Sequence, residues 1–407
     1  MKNLPCHALL ACASVLAAPV YAADADAPAP TLVEALTAGK TALSFRLRHE
    51  LVDDQAQSQD ANATTLRTRL TYSSAAWHRL SAGLEFDYVA ALGSDRFNDT
   101  RNGQTAFPVV ADPDGADLNQ AFLRYEQQGN SVTVGRQRIN MANQRFVGGV
   151  GWRQNEQTFD AIRGQFTPYK DMRIDYSYID NTQRIFGPEQ GKPAPKLDSD
   201  HHVAVWSWAV RPELSASAYG YWLNFPDAAA LSSRTLGMAL TGEIKRRDVA
   251  LDYRVEAARQ QDYANSPVAF SADYHHLVLG ARVAGVRLGV GEELLGADAS
   301  AGVAVQTPLA TMHAFQGWAD KFLSTPKQGV KDQYIDLSTS LSGVALKAVW
   351  HDFSADTGGA DYGQEWNVQA SKTLMQRYTL TAKYANYRAD TLARDTQKVW
   401  LMAEAKF

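Results

Sequence analysis

The residues best suited to chemistry lie close together in GRQRINMANQRFVGGVGWRQNEQTFDA, residues 135–161. In and beside this stretch stand Arg124, Arg136, Arg138, Arg145, Arg153 and Arg163, with Asn155 among them and Glu126, Glu156 and Asp160 as the carboxylates. A guanidinium is always charged and presents planar, forked donors that match a carboxylate or a phosphate bidentately. Gly148, Gly149 and Gly151 allow tight or left-handed backbone. Such a loop is suited to presenting donors to anions or sugars, and equally to connecting two strands with solvated charges. It is not a catalytic constellation. A nucleophile needs a base beside it, and no GxSxG occurs. His201/His202 and His275/His276 are adjacent pairs, and neighbours on a strand face opposite sides, so each is a poor two-ligand clamp. No catalytic residue, metal or cofactor is expected, and the chain is not expected to be an enzyme.

The elements that must position these arginines read as strands. Leu43, Phe45 and Leu47 oppose Ser44, Arg46, Arg48 and Glu50. Leu66, Leu70 and Tyr72 oppose Arg67 and Arg69, and Leu80–Ala90, Met172–Tyr178 and Val249–Ala257 alternate likewise. So do Leu277–Val283, Tyr334–Leu341, Val344–Phe353, Tyr378–Tyr384 and Val399–Phe407. A period of two with one wet and one apolar face is a strand signature. Roughly sixteen to eighteen such segments occur, each near ten residues, the length a tilted transmembrane strand needs. Arg46, Arg48, Arg67, Arg69, Arg124, Arg163, Arg173 and Arg254 fall on the polar phase of their strands, with Glu50, Glu85, Asp87, Glu126, Asp160 and Asp175 to hold them. Arg136 and Arg138 share the phase of Val132 and Val134, so they point inward only past the membrane edge or after a bulge.

Short turns (Ala75–His78, Arg211–Glu213, Arg246–Asp248) alternate with long polar connections at 53–63, 93–116, 139–156, 181–200, 226–233, 297–330, 355–363 and 388–397. That rhythm is the one outer-membrane barrels show. Tyr72, Trp77, Tyr88, Trp206, Trp208, Tyr221, Trp222, Tyr384 and Tyr387 sit near strand ends, as interfacial girdles would. One long connection, 305–323, carries His313, Phe315, Trp318, Asp320 and Lys321 and is a candidate constriction.

The bounds agree. Lys2, an apolar run over Ala8–Ala18 and Val20-Tyr21-Ala22 predict a signal peptide over residues 1–22. Both cysteines, Cys6 and Cys12, lie within it. Residues 23–40 predict a flexible lead ending in a brief helical turn, and 41–407 a single barrel domain. After the leader no apolar run reaches about 18 residues, which excludes helical membrane spans but not strands. Forty Lys and Arg against 44 Asp and Glu leave no basic stripe, so nucleic acid is not an expected partner. The expected fold is all-β: a closed antiparallel transmembrane β-barrel of about 18 strands (16–18), whose one apolar face meets lipid because only closure satisfies every backbone group there. The final strand alternates from Val399 to a terminal Phe407, which resembles the assembly signal of such barrels.

The sequence also resembles a known family. Gly135-Arg136-Gln137, Asn143-Gln144-Arg145-Phe146-Val147-Gly148 and Gly151-Trp152-Arg153-Gln154-Asn155-Glu156-Gln157-Thr158-Phe159-Asp160 carry the likeness. So do Gln306-Thr307-Pro308-Leu309-Ala310-Thr311, His313-Ala314-Phe315 and Gly317-Trp318-Ala319-Asp320-Lys321-Phe322. They are similar to the alginate-export family of outer-membrane porins. The resemblance implies an 18-stranded barrel with an arginine-lined, anion-selective pore and, for the name-giving members, export of an acidic polysaccharide. The expectations are thus a multi-pass barrel in the Gram-negative outer membrane, in contact with its lipid, and a channel for anionic solutes, alginate-like polysaccharide among them. Export of a polymer would require periplasmic machinery as a partner. A porin for general, neutral or aromatic small molecules and, further off, an outer-membrane enzyme stay open as alternatives.

Overall fold

A computed structural model of the chain describes residues 29–407. The expected signal peptide with Cys6 and Cys12, and residues 23–28 of the lead, lie outside the described residues. A short helix, α1 (Leu32–Thr37), opens the described part, capped reciprocally by Thr31 and Glu34. Twenty strands follow. The first ten are β1 (Lys40–Asp54), β2 (Ala61–Ser73), β3 (Leu80–Ala91), β4 (Gly115–Gln127), β5 (Asn130–Gln137), β6 (Thr158–Phe166), β7 (Met172–Gln183), β8 (Lys196–Arg211), β9 (Leu214–Asn224) and β10 (Ser233–Arg246). Then come β11 (Val249–Asp262), β12 (Ser271–Val283), β13 (Val286–Leu295), the two-residue strands β14 (Ala297–Asp298) and β15 (Val303–Ala304), and β16 (Val330–Leu341). The last are β17 (Val344–Ser354), β18 (Asp361–Leu374), β19 (Tyr378–Ala389) and β20 (Thr396–Lys406).

Eighteen of these form one sheet, and β14 and β15 make a separate hairpin. Each barrel strand pairs antiparallel with its neighbours in chain order, and β1 pairs with both β2 and β20, so the sheet closes. The all-β barrel expected from the alternation is therefore present, at the upper end of the strand range. Outward positions such as Leu47, Leu70, Phe86, Tyr88, Leu279 and Leu401 are exposed, whereas Arg48, Glu50, Arg67 and Trp400 on the other phase are buried. With no water to satisfy them, the backbone groups find partners between strands, and lipid takes the apolar face.

Short turns gather at one rim and long connections at the other, with three differences from the expected set. The loop placed at 181–200 is confined to residues 184–195, because β7 and β8 each continue further. A long connection over residues 263–270 went unexpected. Tyr221 and Tyr387 are not girdle residues: they are 2% and 0% exposed and point inward. The lumen is not an empty tube at this level. Two long connections, residues 138–157 and 296–329, fold into it, and their apolar residues join the inward faces of β7–β9, β12 and β17–β20 in one core.

Candidate functional site

The connection between β5 and β6, residues 138–157, spans the barrel. Midway along it Phe146 packs against Tyr219 and Tyr221 of β9 and Tyr274 of β12, with ring centroids 5.6, 5.5 and 5.1 Å apart. Beside it Arg145 pairs with Glu293 of β13 at 2.6 Å and donates to Gln316 Oε1 at 3.0 Å. Its far end reaches the β1–β2 wall, nearly opposite in the ring. There the Gln154 amide donates to the Arg46 carbonyl (3.1 Å) and to Thr65 Oγ1 (3.0 Å). Arg46 donates back to the carbonyl of Gly151 (3.0 Å), and Arg48 to that of Trp152 and to Asp112 (3.1 Å). Arg153 pairs with Glu50 at 3.2 Å. This strap is tied at both ends by buried, charge-assisted bonds, the strong kind.

Where the strap runs down to β6, Glu156 enters a cluster of guanidiniums. Its Oε1 accepts from Arg69 Nη1 at 2.8 Å and lies 3.8 Å from Arg67 Nη1, while Oε2 accepts from Arg138 Nε. Arg69 is also held bidentately by Asp87 at 2.6 Å, and Arg138 reaches Glu85 at 2.8 Å. Burial opposes ionisation of Glu156, but Arg138, Arg69 and Arg67 outweigh it and hold the carboxyl well below its usual range. Arg67 differs from its neighbours: Nε and Nη1 are buried with no hydrogen-bond partner among the described residues.

The second inward loop, 296–329, braces the strap. Leu309 accepts from the Gly148 amide (2.8 Å), and Thr311 donates to Gln144 (2.8 Å). Its own ties reach the wall through Lys321–Asp54 (2.7 Å), Asp320–Lys398 (2.9 Å) and the amide of Ala319 donating to Glu365 (2.8 Å). His313 stacks on Trp152 at 4.2 Å, contacts Asp320 through Nδ1 and meets the Lys383 ammonium through Nε2, both at 2.8 Å. Lys383 also lies 3.9 Å from the ring centroids of Trp152 and Trp318. Burial, reinforced by Lys383, pushes the His313 imidazole down to about 3, so at neutral pH it is uncharged, donating to Asp320 and accepting from Lys383. Phe315 lies under Arg145, 4.7 Å from ring centroid to guanidinium carbon.

The geometry can be set beside known proteins. Residues 40–180 match the alginate export family model. The resemblance read from the sequence is borne out over that span, which contains the whole first motif; the second, residues 306–322, lies beyond it. Pseudomonas aeruginosa OpdK, crystallised with vanillate, superposes with a TM-score of 0.73 at 12% identity, covering 91% of this chain and 99% of that one. P. aeruginosa OccK9 (OpdG) gives 0.73 at 14%, covering 92% and 99%, and Acinetobacter baumannii OccAB4 gives 0.69 at 14%, covering 90% and 98%. At these identities the likeness shows the fold. No curated protein matches the chain. The protein is a multi-pass outer-membrane β-barrel with the porin fold.

Within this porin fold the arginines chosen from the sequence divide. Arg46, Arg48, Arg67, Arg69, Arg138, Arg145 and Arg153 gather on the strap and the wall it meets, with Asn155 buried beside them. Arg124 pairs with Glu126, Arg163 binds Asp175 bidentately and Arg173 is exposed, all three near short turns and away from the strap. Arg254 pairs with Glu256 on another arc of the wall. Arg136 keeps the phase of the exposed Val132 and Val134 and pairs there with Asp160 at 2.8 Å, so these two sit on the outer phase while Arg138, past the end of β5, turns in. The sequence reading passed over Lys383, Lys398 and Asp112. The two lysines occupy the phase opposite the apolar set of their strands, so a signal existed; Asp112 sits in a loop whose path no local pattern reveals.

Proposed function

We propose that the barrel is a passive channel for small anionic solutes, carboxylates above all. The observation that carries this is the wall formed by β19, β20, β1 and β2. Among the described residues it presents six buried cations, Lys383, Lys398, Arg46, Arg48, Arg67 and Arg69, and a single buried carboxylate, Glu50. Fixed charge on the wall of a confined path concentrates the counter-ion and repels the like ion. The neighbouring OpdK structure contains vanillate, an aromatic carboxylate, which agrees with this class of solute. An acidic polysaccharide such as alginate would need a wider path than a small carboxylate, with both inward loops lifted, and periplasmic machinery to deliver it. The aromatic group of Phe146, Tyr219, Tyr221 and Tyr274 favours a second reading, a path for neutral aromatic solutes, but these rings are buried against one another. The test is the reversal potential of the refolded channel in a planar bilayer under a potassium chloride gradient. Anion preference that weakens with added salt supports the proposal; cation preference or none rejects it.

A further inference from the structure

Glu156 belongs to a loop, yet it is 4% exposed and shared by three guanidiniums. Arg67 and Arg69 are fixed to β2, and the other acids of the cluster, Glu85 and Asp87, are fixed to β3. Without Glu156, three guanidiniums would face two carboxylates, one positive charge in excess. That charge, with forked donors already aimed at the vacated place, fits one carboxylate. Arg67 has spare donors in Nε and Nη1.

The strap bearing Glu156 is held in strained backbone. Ala142, Gln144 and Val150 have φ of 47°, 65° and 50°, and a β-branched residue in the left-handed region is a true outlier. Such conformations persist only where surrounding contacts enforce them, and they gather at switches and clamps. At Val150 those contacts are hydrogen bonds from its amide to Thr311 Oγ1 (3.1 Å) and from the Gly149 amide to Asn140 Oδ1 (2.7 Å).

We infer that Glu156 is a tethered stand-in for the solute's carboxylate. In the resting channel the strap places its own carboxylate among Arg67, Arg69 and Arg138. A solute carboxylate takes that place, Glu156 withdraws with the strap while Arg138 stays at its root beside the end of β5, and the same exchange sets both the affinity of the site and the opening of the path. This rests on the anion-channel reading above. A site filled by an internal competitor binds its ligand more weakly in proportion to the fraction of time it is free.

The test uses the full-length refolded barrel in planar bilayers, with benzoate as probe and the concentration that half-saturates its effect on the current as readout. Glu156→Gln removes the competitor and should lower that concentration about tenfold or more. Asp87→Asn removes the same charge from the same cluster but leaves the strap seated, and should lower it less than about threefold. Equal shifts for the two variants would show that Glu156 acts as charge alone, and no shift or a rise for Glu156→Gln would show a structural tie; either overturns the inference. Should Glu156→Gln fail to assemble, judged by heat-modifiable migration on gels, Glu156→Asp carries the test: retraction by one methylene should give a partial fall, and an unchanged value overturns the idea. A wild-type channel with neither anion preference nor response to benzoate would instead defeat the reading beneath it.

Discussion

Replacing Arg67 with glutamate isolates the electrostatic argument. Arg67 is 2% exposed, yet its Nε and Nη1 have no hydrogen-bond partner among the described residues, and its one ion pair there, to Glu156, is long at 3.8 Å. The substitution therefore breaks few contacts while changing the wall by two charge units. For a permeant ion roughly 10 Å away in water, each unit is worth about 0.4 kcal/mol. Two units act with opposite sign on anion and cation, so their energy difference changes by about 1.6 kcal/mol before screening. Screening over a Debye length of about 30 Å at 10 mM leaves about 1.2 kcal/mol, and about 10 Å at 100 mM leaves about 0.6 kcal/mol. The anion-to-cation permeability ratio should thus fall about eightfold at 10 mM salt and about threefold at 100 mM. Reversal potentials of wild type and Arg67→Glu at both salts read this directly. A ratio that stays within about twofold at 10 mM, or a change that does not shrink with salt, would refute the claim that this wall selects by charge.

Two other perturbations bear on the loops. Arg153→Ala strips Glu50 of its ion pair; Glu50 is 0% exposed and its Oε1 already lacks a hydrogen bond, so seating of the strap should weaken by about 3–5 kcal/mol, the cost of an orphaned buried charge. Unitary conductance should rise and amides 144–156 should lose exchange protection, and neither changing would contradict the strap's anchoring. Acid should release the second loop. Because burial and Lys383 hold the His313 imidazole at about 3, a released loop takes up a proton below pH 6.5 that the seated loop cannot, and the seated state loses up to about 1.4 kcal/mol per pH unit between those values. The groups facing the ring are Asp320 on its own loop, Lys383 on β19 and Arg153 on the strap. Asp320 and Glu156, both held low, add their loss only below about pH 4, so between pH 7 and pH 5 His313 contributes about 2 kcal/mol, or about thirtyfold, toward opening. Hydrogen exchange of residues 305–323 at pH 7 and pH 5 should show it, and His313→Gln should remove His313's share of the difference.

The barrel was legible because its cause is local. A strand between lipid and water alternates every second residue, so Leu43, Phe45 and Leu47 against Arg46, Arg48 and Glu50 state both the element and its two faces. The inward turn of Arg67 and Arg69 follows from the same phase. The rule weakens toward the long-loop rim, where the lumen is packed with chain and inward positions are themselves apolar. Tyr221, Tyr274, Tyr387 and Trp400 are buried there, and an aromatic near a strand end no longer implies lipid. Nor could local pattern show that residues 138–157 cross the barrel, that Glu156 enters the arginine cluster rather than solvent, or that Lys383 and Lys398 complete the basic wall. Those facts depend on contacts between residues far apart in sequence, such as Gln154 with Thr65 and Lys398 with Asp320. The amino-acid order sets which side of each strand is wet, because that is settled by neighbours two residues away. Which charges meet inside is settled by barrel closure, since closure brings the first and last strands side by side and sets the space into which the loops must fold.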